Sequence, residues 1–405
     1  RWVERGVGVQ LHHLMATLGL GASAWALALA LPAALRIFWD LRWARSWSRC
    51  QKHVSATADA APAVDRGVSL IVCTHNDLPA LQRMWPAWRS QEFPADWAIQ
   101  WVVVDDGSTD GTERWLLEQA KTDDRITVVR HHKSRPGKKD ALSAGIAAAA
   151  HDRLVLTDAD CQPGPDWAHQ LAAQLGGEGT GPDVCFGASL PLGGPPLLRF
   201  DALRIAWQSM AEAALGRPYM AVGRSLAYRK STWQSLGGFT SHEDVPSGDD
   251  DLFVQQALRA GLTVQPLPPA TARCANPTAP ANSITEGLRR KRRHLTTAPR
   301  YDRRSQRRLA LDTALDLLVV GCAGWGGTPL LLHNGGWIPF LAAGVALAVR
   351  ATTLSAFAKD LGFPAKAGLS TIVWGPIRWG FLALATLSNF TSSPTWTQRA
   401  PTRRS

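Results

Sequence analysis

No two of the six cysteines lie close together: Cys50, Cys73, Cys161, Cys185, Cys274 and Cys322 are scattered along the 405 residues. That spacing excludes a disulfide framework and a cysteine-based zinc site, and it fits thiols kept reduced in a cytoplasmic compartment. The eleven histidines show no His-x-x-x-His pairing, and His131-His132 reads as a surface strand end. No Gly-x-x-x-x-Gly-Lys-Ser/Thr loop is present, which counts against an ATPase. Charge is sparse, at 19% of residues. Zinc-finger, helix-turn-helix and RNA-binding signatures are missing too, so the net charge of +11 does not by itself mark a nucleic-acid binder.

That positive charge is concentrated. Arg and Lys fill ten of the twenty positions from Arg289 to Arg308, beside apolar segments, which reads as a collar at a membrane surface. Residues 14–35 carry no charge over 22 positions, enough to cross about 30 Å of hydrocarbon. Trp25, Trp39, Arg36, Arg42, Arg45 and Arg49 resemble an interfacial belt and a cytoplasmic anchor. A cleaved signal ending near Ala28-Leu29-Ala30 is the alternative, but signal cores are shorter and follow positive charge. The chain opens on Arg1, not Met, which leaves room for residues upstream. Residues 309–332 and 335–354 form two further apolar stretches, expected as a hairpin, with Asp312 and Asp316 tolerated as first-turn or interfacial residues. Residues 367–389 are split by Arg378; an unpaired arginine at mid-bilayer is costly, so this segment is expected to lie in the interface. Counting Lys and Arg places the middle of the chain, and the tail with Arg399, Arg403 and Arg404, on the cytoplasmic side.

Between about residues 65 and 285 the pattern changes. Runs at 68–73, 99–104, 126–130 and 154–157 read as buried parallel strands. They alternate with helical segments at 78–90, 112–121 and 138–150, which predicts a βαβ sheet. Residues 199–219 read as a further helix. In such sheets, ligands sit at the carboxyl ends of the strands. Here those ends read Thr74-His75-Asn76-Asp77, Asp105-Asp106-Gly107-Ser108-Thr109-Asp110-Gly111 and Asp158-Ala159-Asp160. One Asp-Gly-Ser turn alone would be a helix cap. Three acidic strand ends on one edge repel one another unless a cation or donor groups lie between them.

Two carboxylates one residue apart, as in Asp158-Ala159-Asp160, can hold Mg2+ or Mn2+ that keeps waters and accepts diphosphate oxygens. Arg135-Pro136-Gly137-Lys138-Lys139 reads as a glycine turn opening a helix, where amides and lysines can meet a diphosphate. Gly248-Asp249-Asp250-Asp251 opens an apolar helix with more acid than a cap needs, and crowded carboxylates raise one another's pKa, which suits a general base. Most of the 18 tryptophans suit cores and interfaces; Trp207 and Trp233 are candidates for an acceptor groove.

In order, residues 68–76, 102–112, 137–146, 154–163, 223–231 and 237–252 resemble the motifs of the family 2 glycosyltransferases, from about Val68 to Tyr301. The flanking apolar spans resemble those of membrane-anchored members related to cellulose, chitin and hyaluronan synthases. The resemblance implies an α/β GT-A, Rossmann-like nucleotide-sugar domain with flanking transmembrane helices, and an inverting transfer from a nucleotide diphosphate-sugar, with uridine favoured. Thr74 and Asp105 then look like nucleoside contacts, with Asp106 close by and Lys139 near the diphosphate. Asp158 and Asp160 match the metal motif, Asp160 as the direct ligand. Asp249 aligns with the catalytic base, and Asp250 is the fallback. Membrane synthases carry Gln-x-x-Arg-Trp before their last spans; here Arg293 matches its arginine, while Arg290 and His294 replace Gln and Trp, which argues against a polymer synthase.

The expected organisation is an anchor over residues 1–40, a linker over 41–64, the transferase domain over 65–300, a membrane hairpin over 301–356 and an interfacial or fourth membrane helix with a basic tail over 357–405. The expected partners are the nucleotide-sugar donor, a lipid or saccharide acceptor and a membrane, with no nucleic acid. The expected setting is the bacterial inner membrane, in envelope, glycolipid or polysaccharide synthesis. A processive synthase and an inactive nucleotide-sugar-binding protein are the alternatives.

Overall fold

A computed structural model describes residues 22–57, 66–132, 135–175, 181–268, 275–325 and 337–391. The start of the expected first span, the turn at 333–336, Cys274 and the basic tail lie outside the described residues. Helix α1 (Ala22–Thr57) runs straight through the boundary expected at residue 40. The chain then alternates β1 (Gly67–Thr74), α2 (Leu78–Arg89), β2 (Ala98–Asp106), α3 (Thr112–Ala120), β3 (Ile126–His131), α4 (Lys139–Ala148) and β4 (Arg153–Asp158). These are the four strands and three helices that the apolar periodicity predicts. They pair in parallel in the order β3-β2-β1-β4.

After α5 (Trp167–Gln174), the sheet continues with three short strands that the sequence pattern does not announce. They are β5 (Val184–Phe186), β6 (Leu226–Arg229) and β7 (Val264–Pro266). β6 runs antiparallel between β4 and β5, and β7 is parallel to β5, completing seven strands. Strands of three or four residues give too little alternation to detect. Helix α6 (Pro196–Ala214) lies between β5 and β6 in sequence, followed after β6 by α7 (Lys230–Ser235) and α8 (Asp251–Arg259).

Successive side chains along β1, β2 and β4 point to opposite faces. Ile71, Val102, Val104, Leu154 and Leu156 pack with α4 and α6, whereas Leu70, Val72, Trp101, Val103 and Val155 pack under α2 and α5. Both faces are covered, which is why these strands read as unbroken apolar runs. Trp207, a candidate for the acceptor groove, is instead a core residue at 1% exposure; its ring packs on Trp43 and Phe357. Trp233 is half-buried against Phe239.

Beyond the sheet come α9 (Ile284–Leu295), α10 (Arg303–Trp325), α11 (Trp337–Asp360) and α12 (Thr371–Thr391). Among the described residues, one helix, Trp337–Asp360, is long and apolar enough to cross a membrane. These helices and α1 are joined to α6 by buried charges. Arg36 pairs with Asp40 at 2.9 Å and with Asp312. Arg204 reaches Asp312 at 2.7 Å, and Arg350 reaches Asp316 at 2.5 Å and Asp40 at 3.2 Å. Two expectations are corrected here. Asp312 and Asp316 are not first-turn residues of a helix that begins at Arg303; their tolerance comes from the three arginines. Arg378 is not unpaired, because its Nε donates to Asp201 at 2.6 Å, a carboxylate shared with Lys291 at 2.8 Å. Indole hydrogen bonds to carboxylates reinforce the joint: Trp43 donates to Glu212 and Trp47 to Asp360, each at 2.8 Å.

The basic cluster is also less of a free collar than its composition implies. Arg290 pairs with Glu286, Lys291 with Asp201, and Arg292 donates to the Ser388 carbonyl and the Asn389 amide oxygen.

Candidate active site

Parallel register sets Thr74 beside Asp105, and Cys73 beside Asp158, so the ends of β2, β1 and β4 share one level. Thr74 and Asp105 are buried, at 2% and 3% exposure. One Asp105 oxygen accepts the Ser108 amide at 3.2 Å. The other, Oδ1, and the Thr74 hydroxyl have no partner among the described residues. Buried polar atoms are seldom left so. Two of them on adjacent strands, at the edge where ligands enter, form a place for a donor and an acceptor of an incoming molecule.

The loop after β2 is fastened to the loop after β1. Asn76, at φ +53, accepts the Thr109 amide at 2.7 Å, and Asp110 accepts the Leu78 amide at 3.0 Å. Asn tolerates that left-handed backbone better than most residues. Asp106 turns toward the sheet edge, where the His131 ring nitrogen lies 2.7 Å from its carboxylate. His131 therefore belongs to the rim; it is not a bare strand end.

Gly137 has φ +103, and a Cβ there would meet the Pro246 carbonyl oxygen at 2.2 Å. Only glycine permits both the backbone and that approach. The contact sets the start of α4 against the 246–250 loop and brings Lys138 between two acids, 2.8 Å from Asp158 and 3.0 Å from Asp249. Burial opposes the Lys138 charge, yet the Asp158 and Asp249 carboxylates raise its pKa well above an ordinary lysine's. Lys139, expected at the diphosphate, points elsewhere: its ammonium donates to the His242 and Val245 carbonyls at 2.5 and 2.8 Å. A helix turns by about 100° per residue, so adjacent lysines cannot share a target. Of the two lysines, Lys138 is the one placed between the acids.

The three acids before α8 divide the work. Asp249 is 8% exposed. Burial raises its pKa against the pull of the Lys138 ammonium, and the charges of Asp250 and Asp158 add to the rise. Asp250 caps α8: one oxygen accepts the Asp251 amide at 2.7 Å, the other the Gly223 amide at 2.9 Å. Both oxygens are thus committed to backbone, which argues against Asp250 as a base. Asp251 accepts hydroxyl protons from Thr297 at 2.5 Å and Tyr301 at 2.7 Å. Burial and the Asp250 charge push its pKa up to about 7, despite these donors. Thr297 and Tyr301 carry no signal as single residues, and Gly223 opens the 223–231 motif without announcing this contact.

Arg293 lies within electrostatic reach of Asp158 and Asp249. Asp160 is 5% exposed and its Oδ1 lies 3.3 Å from the Thr278 hydroxyl, whereas the Asp158 side chain is 35% exposed. Of the two, Asp158 is the more open to the cleft.

Comparison with known proteins accounts for this arrangement. Residues 69–188 match the model of glycosyl transferase family 2. That stretch contains Thr74, Asp105, Asp106, Lys138, Lys139, Asp158 and Asp160, but not the Asp249 loop or Arg293. A pre-mycofactocin glycosyltransferase of Mycobacterium tuberculosis is 26% identical over 208 residues, which are 49% of this chain and 41% of that protein. The match thus spans less than half of that relative. An uncharacterized glycosyltransferase of Synechocystis is 28% identical over 104 residues, 26% of this chain and 32% of its own. A mannosyltransferase of Pyrobaculum calidifontis, solved in complex with GDP-Man and Mn2+, superposes with a TM-score of 0.51 at 20% identity, covering 90% of this chain and 99% of that one. Sheet order and that superposition give a mixed α/β fold similar to the GT-A glycosyltransferases. Residues 69–188 form a domain of glycosyl transferase family 2.

Proposed function

We propose that the chain is an inverting glycosyltransferase that takes a sugar from a nucleotide diphosphate-sugar and passes it to a hydroxyl acceptor at the cytoplasmic face of a membrane. The single observation that carries this reading is the Asp158–Lys138–Asp249 bridge, which joins the strand-end acids to the loop that would hold the base. Thr74 and Asp105 meet the nucleoside, and Asp106 stands behind them at the β2–β3 edge. Lys138, with Arg293, faces the diphosphate and offsets charge gathering on the leaving group. Asp249 takes the proton from the acceptor hydroxyl, a task its raised pKa suits.

A divalent cation fits the donor set, since Asp158 and Asp160 supply hard carboxylate oxygens one residue apart at the end of β4. Bound there, Mg2+ or Mn2+ would act as a Lewis acid on the diphosphate. Uridine is favoured by family resemblance; the GDP-Man of the archaeal mannosyltransferase makes guanosine the base to test beside it.

The membrane setting rests on the distribution of side chains in α1, α10, α11 and α12. Arg36, Asp40, Asp316, Arg350 and Arg378 turn inward, while Arg42, Arg45, Arg49, Arg303, Arg304 and Arg307 stay exposed toward the helix ends. Leu27, Leu31, Leu35 and Phe38 form one exposed stripe on α1, Trp337, Leu341 and Val345 another on α11, and Val373, Ile377, Leu384 and Leu387 a third on α12. Apolar outside and polar inside is the arrangement a bilayer selects. The 301–356 hairpin and the first helix thus anchor the 65–300 domain, and α12 completes the bundle instead of lying alone in the interface.

The test is binding and hydrolysis of a panel of UDP- and GDP-sugars by the detergent-purified chain, with and without manganese. Metal-dependent release of one nucleotide diphosphate establishes the reaction and names the donor. Binding without turnover in the presence of candidate acceptors would support a binding protein instead, and no binding to any donor would sink the reading.

A further inference from the structure

A cavity lies between α12 and the α10–α11 pair, floored by α6, and its polar half is built of arginines. Arg36, Arg204, Arg350 and Arg378 line it. Three of them bring buried donors that no described residue serves: Nε of Arg36, Nε and Nη1 of Arg204, and Nη2 of Arg350. These residues are 1%, 2% and 6% exposed, so bulk water does not satisfy them either. Four unserved guanidinium nitrogens on the residues around one cavity are an open demand for oxygen acceptors.

Charge points the same way. The four lining arginines belong to one network of ion pairs with Lys291, Asp40, Asp201, Asp312 and Asp316, five cations against four carboxylates, of which Asp316 also lines the cavity. One positive charge is left over. The other half of the cavity is apolar, with Val319, Leu347 and Trp379. It adjoins the exposed Leu317, Leu318, Ile372 and Val373 of the same helices. Room comes from Gly375, where an added Cβ would meet nothing nearer than Thr371 at 4.0 Å.

We propose that this cavity holds the phosphate of an anionic phospholipid. A phosphodiester carries one negative charge and two free oxygens, which match the surplus cation and the guanidinium forks. Its acyl chains leave between α12 and the α10–α11 pair, across the apolar half, onto the exposed face. Free phosphate shares the headgroup chemistry but has no use for that half. The site is separate from the sugar-transfer rim: Lys291 of α9 faces it through Asp201, while Arg293, two residues on, faces Asp158 and Asp249. The proposal rests on the membrane setting argued above.

The full chain is reconstituted into nanodiscs of phosphatidylcholine alone and with phosphatidylglycerol, and followed by native mass spectrometry and thermal unfolding. The wild type retains a phosphatidylglycerol molecule and unfolds several degrees higher in its presence. Gly375→Leu, which adds bulk at the cavity wall and leaves all four arginines in the chain, loses both effects. Gly380→Leu, on the same helix with open space around its Cβ, keeps them. Indifference of the wild type to phosphatidylglycerol, or full retention by Gly375→Leu, overturns the proposal while the membrane setting stands. Failure to enter nanodiscs of either composition overturns both. Equal stabilisation of the detergent-solubilised chain by inorganic phosphate overturns the lipid as the source.

Discussion

The sheet rim and the helical bundle both gather charge, and they balance it differently. At the rim, Lys138 lies between Asp158 and Asp249, with Arg293 within reach and Asp105, Asp106 and Asp160 at the neighbouring strand ends. Acid is in excess, and the Thr74 hydroxyl and one Asp105 oxygen have no described partner. In the bundle, Asp40, Asp312 and Asp316 are each held by arginines from other elements or the next turn. Removing one partner of a buried pair strands the other, so such pairs resist change. A deficit of cations at the rim invites a ligand; near-balance in the bundle fixes where helices lie.

The sharpest way to test that contrast is to remove a rim acid. Asp158→Ala and Asp160→Ala should each abolish metal-dependent turnover and weaken donor binding, measured by nucleotide release and calorimetry, with unfolding temperature nearly unchanged. Unchanged activity in Asp160→Ala would remove that residue from the metal site. Asp249→Asn should lose turnover by about 10²–10⁴-fold with donor binding kept. If Asp250→Asn behaves that way while Asp249→Asn does not, the assignment of cap and base is reversed.

The bundle should fail in the opposite sense. Asp312→Ala leaves Arg36 and Arg204 short of their shared carboxylate. It should cost about 3–5 kcal/mol of stability, read from thermal unfolding in detergent. Donor affinity of the fraction that remains folded should be unaltered. Loss of donor binding with full stability would mean that the two regions are not separate.

A smaller effect tests the link between them. Asp251 has a folded-state pKa of about 7, raised from 3.8. The folded state therefore binds its proton more tightly than the unfolded chain does. Its contribution is fully present below the unfolded pKa and is lost as pH rises through the folded one. Unfolding temperature should fall between about pH 4 and about pH 7, and Asp251→Asn should flatten that fall. Tyr301→Phe, which removes one hydroxyl from Asp251, should cost about 1 kcal/mol. An unchanged pH profile in Asp251→Asn would assign the slope to other groups.

How much of this was legible in the sequence follows from the range of the forces involved. β1 to β4 and their helices were readable because strands covered on both faces need unbroken apolar runs. The rim acids were readable because they follow those runs directly. The choice of Lys138 over Lys139 was not, since it depends on where the 246–250 loop lies against Gly137. Nor was the pairing of Arg36 with Asp312, which joins residues 276 positions apart. Arg378 looked unpaired for the same reason: its partner, Asp201, sits on a helix of the transferase domain.

The contact between Gly137 and the Pro246 carbonyl sets a mechanical tolerance for the whole site. One loop carries Lys138, proposed to face the donor, and the other carries Asp249, proposed to face the acceptor. With no side chain between them, the two loops abut like the halves of a hinge closed on its pin. A methyl group at position 137 would act as a shim, moving donor and acceptor apart together without altering either set of contacts.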